Sequence, residues 1–142
     1  MATTLEGGCL CGAVRYRTGG EIAAAGHCFC TDCRRASGTS HGTHVAMKEA
    51  DVELSGELRF FDKPADSGNI VSRGFCPECG AAVLSRNAAM PGMVFLRASS
   101  LDDPELIAPA MTVFASRAPG WAHIDDSHPV FPGELDFAAA MR

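Results

Sequence analysis

Seven cysteines carry the chemistry legible in this sequence, and none of them stands alone. Cys9 and Cys11 form a C-x-C pair, Cys28, Cys30 and Cys33 a C-x-C-x-x-C triplet, and Cys76 and Cys79 a C-x-x-C pair. Spacings of two and three let one short loop aim two or three sulfurs at a common centre, the arrangement that holds a soft divalent metal. An odd count cannot be fully paired as disulfides within one chain. The N-terminus, Met-Ala-Thr-Thr-Leu-Glu-Gly-Gly, offers neither the basic nor the apolar region of an export signal. A cytoplasmic, reducing setting is therefore expected, with metal-bound thiolates favoured over a disulfide framework and dithiol redox chemistry left as the alternative.

The cysteines divide into two sets. Cys11 is followed by Gly12 and Cys79 by Gly80, so each pair ends where a turn can take positive φ and aim backbone N–H groups at sulfur. These read as zinc knuckles, and together Cys9, Cys11, Cys76 and Cys79 supply the four thiolates of one closed structural zinc. The triplet Cys28, Cys30 and Cys33 is left with three sulfurs, the pattern of a catalytic zinc with an open position. The alternative is a site closed by His27, His41, His44, His123 or His128. Three thiolates on a divalent ion carry net negative charge, which makes the ion a poor Lewis acid and a good holder of a further thiolate. Sulfur chemistry is thereby favoured over water activation. His41 and His44 are the candidate proton donors, although a surface or core-satisfied histidine is the better reading of each. Arg34 and Arg35 follow Cys33, and Arg15 and Arg73 lie close in sequence to the structural ligands. All four could offset the anionic clusters or be solvated surface arginines.

The elements that must position these groups are short and extended. Strands are expected over 13–17, 43–47, 58–61, 70–75, 81–85, 93–98 and 112–115, where period-2 alternation recurs between Gly and Pro punctuation. Thr31 is placed to cap a helical turn through Ala36 that stops before Gly38. Asp102-Asp103-Pro104-Glu105 opens another, and 134–141 reads as a loose final helix. Trp121, Phe60 and Phe61 could line a partner surface, although aromatics of this kind are more often core. The 142 residues suit one domain, 1–142, able to bury roughly two-thirds of its unfolded surface. With 12 basic against 17 acidic side chains, a net charge of −5 and no basic run, neither nucleic acid nor an anionic membrane is an expected partner. No apolar stretch approaches the roughly 20 residues that span a bilayer.

Three motifs carry a family resemblance: Gly8-Cys9-Leu10-Cys11-Gly12-Ala13-Val14, then the run from His27 to Gly38 around the triplet, then Arg73-Gly74-Phe75-Cys76-Pro77-Glu78-Cys79-Gly80. In order and spacing the chain resembles the glutathione-dependent formaldehyde-activating enzymes, a family that includes the CENP-V/GFA domain, over about residues 6–133. The resemblance implies a mostly-β, Mss4-like fold of packed antiparallel sheets pinned by zinc, with few short helices. It also implies a structural zinc on Cys9, Cys11, Cys76 and Cys79 and a catalytic zinc on Cys28, Cys30 and Cys33. The implied activity is that of a carbon–sulfur lyase joining glutathione, or a similar thiol, to a small aldehyde such as formaldehyde. The chain departs from the family pattern at Met111, where a histidine is expected, and at Gly120 before Trp121. A zinc-stabilised binding module without turnover, or a thiol and metal redox sensor, would use the same cysteines.

Overall fold

The computed structural model describes residues 3–134 and is mostly β, as expected. Its strands are β1 (Glu6–Gly8), β2 (Arg15–Thr18), β3 (Ile22–Cys28), β4 (Gly42–Lys48), β5 (Val52–Ser55), β6 (Arg59–Pro64), β7 (Ile70–Phe75), β8 (Ala82–Asn87), β9 (Met93–Arg97) and β10 (Thr112–Val113). One α-helix, α1 (Thr31–Ser37), lies among the described residues, with single 3₁₀ turns at Glu49–Asp51, Ala98–Ser100, Pro104–Leu106 and Ala115–Arg117. A small sheet has the order β1-β2-β5 and a seven-stranded sheet the order β10-β3-β4-β9-β8-β7-β6. Every pairing between these strands is antiparallel except that of β10 with β3. No helix among the described residues is long and apolar enough to cross a membrane.

The alternation of side chains along each strand divides the large sheet into two faces. Ala25, Val45, Met47, Leu84, Val94 and Leu96 point one way and join Leu5, Val14 and Tyr16 of the N-terminal segment in the core. Tyr16 is held there by its hydroxyl, which donates to Ser100 Oγ at 2.6 Å while Ser100 donates to the Arg97 carbonyl. The residues between them, including Ala24, Gly26, Cys28, His44, Ala46, Phe95, Ser85 and Arg73, line a cavity on the opposite face. Each central strand thus serves the core with one residue and the cavity with the next.

Several elements differ from the sequence reading, each for a local reason. Ile22–Cys28 is the largest omission, since an Ala-Ala-Ala-Gly run has little intrinsic strand preference and forms β3 because β4 and β10 pair with it on both sides. The short β1 and β5 also went unpredicted. The cap of α1 is Cys30 and not Thr31: its sulfur accepts the Cys33 N–H at 3.2 Å, and Gly38 closes the helix at φ 85°. Asp103 and Pro104 start a single 3₁₀ turn, with the Asp103 carboxylate accepting from the Glu105 N–H. Phe61 and Trp121 lie on the surface, 61% and 67% exposed, and Phe60 stacks beneath Arg86. The helix expected over 134–141 lies outside the described residues apart from Glu134, which is not helical.

Candidate metal centres

The turn between β1 and β2 and the turn between β7 and β8 bring Cys9, Cys11, Cys76 and Cys79 together, all four sulfurs within 4.8 Å of one another. Cys9 and Cys11 are 3.7 Å apart and Cys11 and Cys76 3.8 Å. Four sulfurs at about 2.3 Å from a tetrahedral zinc would be about 3.8 Å from each other, so the observed spacing fits such an ion. Backbone N–H groups point at the sulfurs, Val14 to Cys9 at 3.2 Å and Glu78 to Cys76 at 3.4 Å. Gly12 and Gly80 turn the chain at φ 85° and 76°, in the left-handed region where a side chain is strained, with open space around them. Burial opposes ionisation of Cys9, but the Val14 N–H and thiol contacts from Cys76, Cys11 and Cys79 outweigh it and bring its pKa to about 6. The Ala13 N–H favours the Cys11 thiolate, but burial and contacts with Cys9, Cys79 and Cys76 outweigh it and raise Cys11 to about 11. Four thiolates this close need a cation between them.

The second cluster gathers Cys28 at the end of β3, Cys30 at the cap of α1 and Cys33 within α1, again within 4.8 Å. Hydrogen bonds from Cys28 and Cys33 and from the Cys33 N–H, with the charge of Arg73, hold Cys30 well below the usual thiol range. Contacts with Cys30 and Cys33, followed by burial, push Cys28 far up. All three can be anionic together only around a divalent ion, and three soft donors suit zinc. No histidine joins the mutually close set among the described residues.

The five histidines take separate places. His44 lines the cavity and is part-buried, with Nε2 3.5 Å from Cys33 Sγ and a solvent-inaccessible Nδ1 without a hydrogen-bond partner. Burial, then the nearby Arg97 and Arg73, lowers its pKa to about 3, so its ring is neutral. A Cys33 thiolate only accepts, which assigns the proton to Nε2. His41 does not line this cavity; its Nδ1 meets Ser40 Oγ at 2.8 Å and its ring packs on Phe29 and His27. His27 bonds Thr43 through Nδ1, and His128 bonds Thr112 through Nε2. His123 has no such role among the described residues.

The cavity over the three sulfurs is about 170 Å³. Its floor is the large sheet, and its sides are β10, α1 and the β6–β7 turn. Lys63 to Asp32 at 3.0 Å and Asp66 to Arg117 tie the β6–β7 hairpin to α1 and to the turn after β10. Arg73 lines this cavity and not the structural cluster, and no carboxylate pairs with it among the described residues. Arg15 pairs instead with Asp102. Sequence reasoning missed Arg97, 4% exposed and opposite His44 across the β4–β9 ladder. Its only signal was an arginine in register with an apolar alternation.

A mostly-β domain holding one four-cysteine and one three-cysteine cluster, each able to bind a metal ion and the second open to a cavity, defines a narrow class of protein. Residues 4–117 match the family model described as glutathione-dependent formaldehyde-activating enzyme, and the chain belongs to that family. A protein of Halomonas elongata, provisionally named a glutathione-dependent formaldehyde-activating enzyme, is 27% identical over 128 residues, covering 85% of this chain and 81% of its own. A crystal structure of a Rhodobacter sphaeroides protein has the same fold at a TM-score of 0.57 and 22% identity, covering 73% of this chain and 96% of that one.

Proposed function

We propose that the chain is a two-zinc enzyme of the carbon–sulfur lyase type that adds the thiol of glutathione, or a similar thiol, to a small aldehyde such as formaldehyde, in the cytoplasm. Cys9, Cys11, Cys76 and Cys79 would hold a structural zinc and Cys28, Cys30 and Cys33 a catalytic one. The observation that carries the reading is the second cluster's place on the wall of a cavity, with three sulfurs where a closed site would present four ligands. A zinc bound there supplies one thing to the chemistry: it lets a substrate thiol persist as thiolate at neutral pH.

The chain's own residues do the rest. His44 keeps Cys33 in place through Nε2–H, a positioning role that its neutral ring favours over the proton delivery expected of it. His41 does not line the cavity, and its ring packs on His27 and Phe29, which gives it a packing role at the end of β3. Arg73 faces the cavity without a carboxylate partner and is placed to stabilise negative charge on the aldehyde oxygen as the sulfur–carbon bond forms. The proton lost by the thiol returns to that oxygen through solvent at the cavity mouth. A non-catalytic binding module would have no need of sulfurs opening on a cavity.

Calorimetric titration of the zinc-loaded protein with glutathione in two buffers of different ionisation enthalpy tests this. About one proton should be released per site, with none from S-methylglutathione. X-ray absorption should show sulfur coordination at the labile zinc rising from three toward four. Absence of heat and proton release at millimolar glutathione overturns the proposal.

A further inference from the structure

The wall of the cavity changes character across the sheet. Away from His27 and His44, which line it beside the sulfurs, the wall over β3, β4 and β9 is hydrocarbon and thioether: Ala24, Ala46, Phe95 and, just before β10, Met111. Met111 is drawn tightly onto β3, since a Cβ on Gly26 would sit 2.7 Å from its Cγ and 2.9 Å from its carbonyl oxygen. Over β7, β8 and the β6–β7 turn the wall is polar, with Arg73, Ser85, Asn87 and Asp66, and Arg117 reaching Asp66 from beyond β10. Cys28 shares the face of Ala24 and Gly26 on β3, so the three-sulfur cluster opens beside the apolar half.

The size of the cavity bears on what fills it. At roughly 10–15 Å³ per water, 170 Å³ is room for on the order of ten waters, far more than one-carbon formaldehyde displaces. Water against the apolar half lacks hydrogen-bond partners, and its replacement by hydrocarbon is favourable. A charged tripeptide thiol is matched by the polar half, through a carboxylate toward Arg117 and amide groups toward Asn87 and Ser85, which leaves Arg73 for the aldehyde oxygen. The apolar half is then left for the other reactant.

We propose that the carbonyl substrate is an aldehyde bearing an apolar substituent of several carbons, seated against Ala24, Ala46, Phe95 and Met111, with formaldehyde the poorer member of the series. The inference rests on the thiol-addition reading above and narrows its second substrate. In the reaction a sulfur–carbon bond forms, the carbonyl π pair moves to oxygen, and the thiol proton ends on that oxygen; nothing is oxidised or reduced. The product is the hemithioacetal.

The test uses zinc-loaded protein with glutathione and the series formaldehyde, ethanal, propanal, butanal and pentanal. Magnetisation-exchange NMR follows the rate at which each free aldehyde converts to its adduct, above the uncatalysed rate. From ethanal to pentanal the enzyme-dependent rate constant should rise about fourfold per added methylene, and Ala46→Leu should bring the pentanal-to-ethanal ratio toward one. A second arm needs no turnover: the unreactive amides acetamide to pentanamide should bind with affinity rising by a similar factor, shifting the backbone resonances of Ala46 and Phe95. A rate that is flat or falls with chain length, with formaldehyde still turned over, overturns the aldehyde class alone. Amide affinity that does not rise, or shifts confined to other residues, also overturns it. No turnover of any aldehyde and no proton release by glutathione overturns the thiol-addition reading and this inference with it.

Discussion

Arg73 and His44 both line the cavity with the three-sulfur cluster, yet their environments give them different work. His44 is neutral, with its Nδ1 shut off from solvent and its Nε2 turned to Cys33, so its replacement acts through the position of Cys33. Arg73 is half-exposed in the cavity and without a carboxylate partner among the described residues, so its charge is available to substrate. Arg73→Met is expected to lower kcat/KM by about 10²- to 10³-fold, the usual cost of removing one donor to a developing oxyanion, with most of the loss in kcat. His44→Gln keeps a side-chain N–H donor but not the ring geometry. It should speed loss of the labile zinc to a chelator, read with a chromogenic zinc indicator, while the four-cysteine site exchanges as in the parent. A raised KM with kcat unchanged for Arg73→Met would point to ground-state binding and remove the oxyanion role.

Adjacent residues of one strand belong to different parts of the molecule, and β9 shows it most directly. Leu96 is fully buried between the sheets, whereas Phe95 lines the cavity on the reverse face. Leu96→Ala should destabilise the protein by about 2–5 kcal/mol and leave substrate preference untouched. Phe95→Ala should cost less stability and change which aldehydes are accepted, as urea denaturation and the aldehyde series would together report. The alternation behind this contrast is visible in Met93-Val94-Phe95-Leu96-Arg97, and the sequence reading found that strand, β7 and most of β4 and β8. Both cysteine sets were legible as well, because ligand spacing is a local property and a knuckle announces itself within four residues. The Ala-rich β3 was not legible, for its side chains are small to make room for the cavity and so lack the bulk that signals a strand. The fate of His41 and the burial of Arg97 depend on which strands pair with which. A single strand's pattern carries no record of its neighbours.

At the scale of the whole molecule the two clusters differ in the length of chain they close, and this decides what loss of metal does. The three-sulfur ligands fall within one short stretch ending in α1, so an ion there constrains little that local structure does not already hold. The four-sulfur set joins Cys11 to Cys76 across 65 residues. A cross-link closing a loop of that length removes on the order of 4 kcal/mol of chain entropy from the unfolded state by the loop-closure estimate, against a total stability of about 5–15 kcal/mol for a typical domain. It also fastens the turn before β2 to the turn before β8, and with them the seam between the small and large sheets. Titration with a chelator should therefore proceed in two steps: a first zinc lost with the far-ultraviolet circular dichroism unchanged, and a second lost together with it. Cys30→Ser should remove the first step and leave a folded protein with one zinc, whereas Cys76→Ser, which removes a fully buried ligand, should unfold or aggregate. A Cys76→Ser protein as stable as its parent, or a single step releasing both ions, would show that the four-cysteine ion does not hold the sheets together.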